Sequence, residues 1–171
     1  MRDYKTLIRN IPDYPTPGIQ FKDVTTLMKD GPAFRQAIDF LVDAFRQTPV
    51  DVVLGPEARG FAVGAPVAYA LGAGFVPVRK PGKLPAATLT YEYELEYGKD
   101  TLEIHTDAVT HGSRVLIVDD LLATGGTTRA TVNMVESLGG TVVGLGFLVE
   151  LSFLNGRDYF KDYPIATLIT Y

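Results

Sequence analysis

The sequence predicts an α/β domain in which a mostly parallel central sheet carries helices on both faces. Three observations lead there. Short apolar runs rich in β-branched residues at 50–54, 74–79, 116–119 and 141–150 read as strands, with helical spacing between the first two and again between the last two. Val115-Leu116-Ile117-Val118 sets four apolar residues in a row, the pattern of a strand covered on both faces, as parallel strands are. The strand–helix–strand alternation, met twice, needs crossover connections that lay helices over one sheet.

In chain order, residues 3–10 suit a short amphipathic helix stopped by Ile11-Pro12. Pro15, Pro17 and Gly18 then set a stiff, non-helical course. Residues 19–24 alternate apolar and polar, as a short strand or an extended hairpin arm does. Asp30-Gly31-Pro32 opens a helix, with Asp30 as cap and Pro32 tolerated in the first turn. Phe34, Ala37, Ile38, Leu41, Val42 and Phe45 form its core stripe. A second helix of small residues covers 61–71, with Pro66 as its one blemish, and a third runs over 126–138 to a stop at Gly139-Gly140. Residues 163–171 add an edge strand or a tail.

Residues 80–104 break the alternation. They are too polar, and too rich in glycine, proline and tyrosine, for a crossover helix. Residues 89–95 and 101–104 alternate around Tyr97-Gly98-Lys99-Asp100, so the segment reads as a hairpin ribbon projecting from the sheet. An excursion of this length from a compact domain is usually functional, and its tyrosines and carboxylates suit a lid.

A chain of 171 residues, 46% hydrophobic and 21% charged, makes one globular domain with a core of ordinary size. The net charge of −4 gives no basic field, so no nucleic-acid partner is expected. Zero cysteines exclude disulfides and thiolate metal sites and fit the cytoplasm. No signal-peptide core follows Met1-Arg2-Asp3-Tyr4-Lys5 and no eighteen apolar residues run together, so no membrane partner is expected either.

The chemistry gathers where the buried strand ends. Asp119 and Asp120 stand at its carboxyl end, where open α/β sheets bind ligands, followed by Ala123, Thr124, Gly125, Gly126 and Thr127 at the start of a helix. Small residues and hydroxyls at such a turn let backbone N–H groups face an anion, and the helix dipole adds to the attraction. Read singly, the acids suit a cap and the glycines a tight connection. Read together, the turn suits a phosphate and the acids, which repel phosphate, suit a diol: a ribose 5-phosphate has both.

Two further clusters fall at the same edge. Glu57-Ala58-Arg59-Gly60 brings a guanidinium, whose planar fork matches phosphate oxygens. Arg79-Lys80-Pro81-Gly82-Lys83 adds three cations at the base of the ribbon, either as solvated surface or as a second set of anion contacts. Glu92, Glu94 and Glu96 share one face of the ribbon. His105 and His111 have no partner at ligand spacing, and no nucleophilic triad, P-loop or dinucleotide fingerprint is present.

Taken together, these motifs resemble the type I phosphoribosyltransferases, and among them the adenine-specific branch. The resemblance rests on the stretch from Val118 to Thr127, on Ala58-Arg59-Gly60-Phe61 and on Arg79-Lys80-Pro81-Gly82-Lys83-Leu84-Pro85. Leu148-Val149-Glu150-Leu151 belongs to the match as well, and the segment Ile11-Pro12-Asp13-Tyr14-Pro15-Thr16-Pro17-Gly18-Ile19 with Leu95-Glu96-Tyr97-Gly98 narrows it to adenine.

The resemblance implies a Mg2+-dependent conversion of adenine and 5-phosphoribosyl diphosphate (PRPP) to AMP and diphosphate, in a homodimer. Residues 1–30 become a hood and 80–104 a flexible lid. Asp119 and Asp120 hold the ribose hydroxyls, Ala123 to Thr127 take the 5-phosphate, and Ala58, Arg59, Lys80 and Lys83 face the diphosphate. Ile19, Gln20, Phe21, Lys22 and Leu151 bind adenine, with Phe21 and Leu151 sandwiching the ring. Glu96, beside Tyr97 in the lid, handles a proton; the catalytic set is Glu96, Asp119, Asp120 and Arg59. Mg2+ needs no dedicated protein ligands, being held by PRPP and water. The Glu57-Ala58 peptide bond is often cis in such enzymes. Gln20, Lys22 and Gly55-Pro56-Glu57-Ala58 depart from the family pattern, where an apolar residue, an arginine and an acid-serine pair are more usual. Alternatives are a transferase for another purine base, a PRPP-binding regulator without turnover, and a flavodoxin-like binding domain.

Overall fold

The computed structural model describes residues 3–95 and 98–171. Its centre is a five-stranded, all-parallel sheet of β3 (Val52–Pro56), β4 (Gly74–Val78), β7 (Arg114–Leu122), β8 (Thr141–Glu150) and β9 (Ile165–Thr170), in the order β4-β3-β7-β8-β9. The chain steps from β3 outward to β4, then returns to the other side of β3 as β7. That reversal opens a crevice beyond the carboxyl ends of β3 and β7, where ligands of open sheets bind.

Each face of the sheet has its own core. Leu116 and Val118 of β7 meet Ala37, Ile38, Leu41, Val42 and Phe45 of α2 (Gly31–Phe45) and Val63, Val67 and Ala68 of α3 (Arg59–Leu71). Val115 and Ile117 point the other way, to Ala130, Met134 and Val135 of α4 (Gly126–Ser137). The two-sided apolar run thus becomes a strand between helix layers, as expected. Asp30 caps α2 by accepting from Ala33 N at 3.0 Å. Pro66 is tolerated within α3 because the carbonyl it leaves unpaired belongs to Ala62, on the exposed face.

The ribbon is β5 (Thr88–Leu95) paired antiparallel with β6 (Gly98–His105). It joins the sheet edge through reciprocal bonds between Arg79 and Glu103, 2.9 and 2.7 Å long. Tyr93, Leu102 and Ile104 are buried in the core beside α4, so this part of the ribbon is packed rather than projecting freely.

The N-terminal expectation needs correction. Residues 3–10 do not form one helix: a single 3-10 turn, Tyr4–Leu7, gives way to β1 (Arg9–Pro12), which pairs antiparallel with β2 (Gln20–Asp23). A helix this short has little stability of its own, and pairing Ile11 with Phe21, supported by Arg9 bonding Asp23 at 2.9 and 2.5 Å, prevails. Asp23 also accepts from the Thr25 N–H at 2.9 Å, turning the chain into α1 (Thr25–Met28), which spacing did not suggest. The third core strand is longer than expected, and both Asp119 and Asp120 lie within it because β8 extends far enough to pair with Asp119 and with Leu121.

Leu116→Ala and Ile117→Ala, one substitution per face, are each expected to lower stability by about 2–5 kcal/mol. Urea unfolding followed by circular dichroism should give a single transition for both variants. A loss below about 1 kcal/mol at either position would mean that its face is not a packed core.

Candidate active site

The crevice holds a cavity of about 330 Å³, lined by Glu57, Ala58 and Arg59 after β3, by Asp119, Asp120 and Leu121 of β7, and by Ala123 through Thr128. The strand, the turn and the start of α4 therefore converge as the spacing suggested. Along β7, Leu116 and Val118 belong to the α2–α3 core, yet so does Leu121, while Leu122 joins the α4 core. The alternation shifts by one residue across Asp119-Asp120, and both carboxylates reach the cavity.

Their electrostatics are unequal. Asp120 is buried, and its Oδ2 accepts from Arg59 Nε at 2.5 Å. Although burial opposes it, Asp120 and then Asp119 hold the Arg59 guanidinium more firmly in its charged form. Asp119 feels that guanidinium only at a distance; its Oδ1 accepts the Asp120 N–H at 2.8 Å. Burial, reinforced by the Asp120 charge, pushes the Asp119 carboxyl well above the usual carboxylate range. Folding therefore holds one proton-hungry acid next to an anion already paired with arginine.

The Glu57-Ala58 peptide at the cavity wall is cis. Glycines keep the rest of the wall close. Gly60 opens α3 against the acids: a Cβ there would lie 2.8 Å from Asp119 Oδ1. Gly125 has φ +85°, so the turn enters α4 through the left-handed region that glycine adopts freely. Behind the turn, a Cβ on Gly156 would fall 2.1 Å from the Ala123 carbonyl oxygen, so only glycine fits. Gly156 is a packing position behind the turn that was missed in the sequence, where Asn155-Gly156 signals nothing beyond a turn.

The part played by the Glu57 side chain was missed as well. It accepts from the Lys80 backbone N–H and from Arg79 Nε, the latter at 3.0 Å, tying the two cation-bearing loops together. Despite the opposing effect of burial, these bonds lower its carboxyl below the ordinary value. Lys80 and Lys83 do not line the cavity. Lys80 Nζ pairs with Asp100 of the ribbon, and Lys83 is exposed on the same loop.

The hood sits beside the cavity rather than in it. The Phe21 ring packs edge-on to Tyr14, centroids 5.2 Å apart, and the Arg59 guanidinium lies 5.6 Å from its centre. Ile19 and Gln20 are exposed. Gln20 Oε1 accepts from Asn10 Nδ2 at 2.7 Å; Lys22 Nζ donates to Asn10 Oδ1 at 3.1 Å and lies 4.4 Å from the Tyr171 ring centre. Both departures from the family pattern thus have local partners. Leu151 follows β8, donating its N–H to Leu122 O at 2.9 Å. Glu96 and Tyr97 lie outside the described residues. Among the described residues no cluster of histidine, aspartate or glutamate forms a metal site.

A phosphoribosyl transferase domain model matches residues 25–169. The adenine phosphoribosyltransferase of Desulfitobacterium hafniense is 59% identical over 169 residues, covering 99% of this chain and 98% of that protein. The crystal structure of the Thermoanaerobacter pseudethanolicus adenine phosphoribosyltransferase is 58% identical, with a TM-score of 0.95 over 99% of this chain and 98% of that one. The Saccharomyces cerevisiae adenine phosphoribosyltransferase, solved with an imino-altritol bisphosphate and adenine, is 40% identical, with a TM-score of 0.90 over 97% and 96% of the two chains.

Because folding raises the Asp119 pKa, its charge opposes folding above the ordinary carboxylate range, and the penalty is absent at lower pH where it is protonated in both states. Asp119→Asn is therefore expected to raise Tm by a few degrees at neutral pH, with the gain vanishing in acid. Calorimetry across pH checks both; a lower Tm at neutral pH would contradict the assignment.

Proposed function

The chain belongs to the phosphoribosyl transferase family, and we propose that its cavity takes PRPP, its hood takes adenine, and the two are joined as AMP with release of diphosphate. The observation that carries this reading is the convergence of Arg59, two adjacent carboxylates and a glycine-rich helix start around one cavity. A turn of this kind takes the 5-phosphate on backbone N–H groups of residues 123–127, with the α4 dipole behind it. Asp119 and Asp120 accept hydrogen bonds from the ribose hydroxyls.

Carbon–oxygen cleavage at the anomeric carbon sends the bonding pair to diphosphate and leaves positive charge on the sugar ring. Asp119 and Asp120 lie beneath that charge and stabilise it. Adenine N9 attacks from the face opposite the departing group, inverting the centre. Arg59, Lys80 and Lys83 are the cations that receive diphosphate; the last two need only swing from the loop that Glu57 holds. The carboxylate oxygens of Asp119 and Asp120 at the cavity fit a hard cation such as Mg2+, which PRPP and water would mainly hold and which would lower the charge on the leaving diphosphate.

Adenine is read at β2. Pro12 stands opposite Gln20 and has no N–H to give, which supports backbone groups near Gln20 turning to the base. One C=O and one N–H match the adenine amino group and N1, whereas hypoxanthine reverses both. Phe21 and Leu151 flank the ring plane, with Ile19 and Lys22 at its margin. Glu96 in the ribbon manages the ring proton at N7, beside Tyr97. Residues 80–104 act as the lid and exclude water from the sugar cation.

The second copy of the homodimer docks on α3. Its outer face shows Ala62, Ala65 and Tyr69, the last 90% exposed, at helical spacing. No helix among the described residues is long and apolar enough to cross a membrane.

Labelled adenine incubated with PRPP and Mg2+ is expected to yield AMP, with hypoxanthine turned over about 10⁴-fold less efficiently. Comparable use of the two bases would refute the backbone readout. Glu96→Gln should lower kcat about 10²-fold while PRPP binding changes little. An unchanged kcat would remove Glu96 from the chemistry.

A further inference from the structure

A chain of four side chains joins the two phosphate-binding edges through the ribbon. Tyr93 and Asp100 stand directly opposite each other in the β5–β6 ladder. Tyr93 Oη lies 3.0 Å from Asp100 Oδ2 and 3.2 Å from Thr127 Oγ1, in the turn at the start of α4. The same Asp100 Oδ2 holds Lys80 Nζ, and Asp100 Oδ1 accepts the Thr101 N–H at 2.8 Å. Tyr93 is only 5% exposed, and Tyr91, two rungs along the ladder, anchors the ribbon by accepting from Asn133 Nδ2 of α4 at 2.6 Å.

Counting protons fixes the direction of this chain. An ionised carboxylate only accepts, so Lys80 and the Tyr93 hydroxyl both donate to Asp100. Tyr93 has then spent its one proton, and the contact to Thr127 requires the threonine hydroxyl to donate to it. Burial, with Asp100 adding to it, holds the Tyr93 phenol up at about 12, so it keeps that proton at neutral pH. The Thr127 proton thus points at the ribbon and the Lys80 ammonium at Asp100.

We propose that Asp100 and Tyr93 are positioning residues for PRPP: the carboxylate stands in for phosphate, engaging Lys80 directly and Thr127 through Tyr93 until the substrate displaces both contacts. This rests on Lys80 and Thr127 being diphosphate and 5-phosphate contacts, as the proposed function has them. It explains why a carboxylate sits in a cluster otherwise suited to anions. It also makes the ribbon responsive to both ends of one ligand, since each phosphate group removes one link.

Asp100→Asn reverses the logic with little change of shape. The amide oxygen keeps the Thr101 bond, and its NH2 faces Lys80 and Tyr93. Lys80 loses its acceptor. Tyr93 then accepts from the new amide and donates to Thr127, whose own proton is released for phosphate. A half-exposed ion pair is weak, so PRPP affinity measured by calorimetric titration should rise only about threefold to fivefold. Diphosphate should tighten in parallel, and in a Lys80→Ala background the gain from Asp100→Asn should shrink to the roughly twofold part that Thr127 contributes. Tyr93→Phe, which frees Thr127 alone, should tighten PRPP about twofold, less than Asp100→Asn does. Unchanged or weaker PRPP binding by Asp100→Asn, or a gain that loss of Lys80 leaves undiminished, overturns the proposal while leaving the transferase reading intact. A wild-type chain that binds no PRPP removes that reading and this proposal together.

Discussion

The site depends on keeping two neighbouring carboxylates at the end of a buried strand. Like charges so placed repel, and burial strengthens the repulsion. The structure answers with three local devices. Arg59 neutralises Asp120 at 2.5 Å, the Asp120 N–H supports Asp119, and Gly60 gives Asp119 the room that any side chain would take. Each device comes from α3 or from β7 itself, so the reversal of strand order between β3 and β7 is what brings them together.

In the proposed function the turn and the start of α4 take the phosphate, the two acids take the diol, and the cations on the Glu57-bound loops take the diphosphate. Gly156 supports this layout from behind, since its hydrogen allows the next segment to lie against the Ala123 carbonyl. The hood meets the site where the Phe21 ring lies 5.6 Å from the Arg59 guanidinium.

Much of this was legible in the sequence because it depends on short-range periodicity. Val115 to Val118 could only be a two-sided strand, the stripe from Phe34 to Phe45 only a helix, and the alternation on either side of residue 98 only a ribbon. Arg9-Asn10 was misread as the end of an amphipathic helix because local spacing says nothing of a strand pairing with Lys22 and Asp23 further along the chain. The one-residue shift across Asp119-Asp120 and the need for Gly156 arise from contacts between distant segments, which leave no local pattern. Tyr93 and Asp100 are intermediate: the hairpin register places them opposite each other, but only the packing of ribbon on α4 brings Tyr93 to Thr127.

The central claim is that the carboxylates hold a diol while the adjoining turn holds a phosphate. Calorimetric titration with ribose 5-phosphate and with 2-deoxyribose 5-phosphate tests it most directly, since the two differ by one hydroxyl facing the acids. A hydrogen bond to a charged group is worth about 1.5–3 kcal/mol, so the deoxy sugar should bind at least about tenfold more weakly, with both displaced by inorganic phosphate. Equal affinities, or binding that phosphate does not displace, would contradict the account.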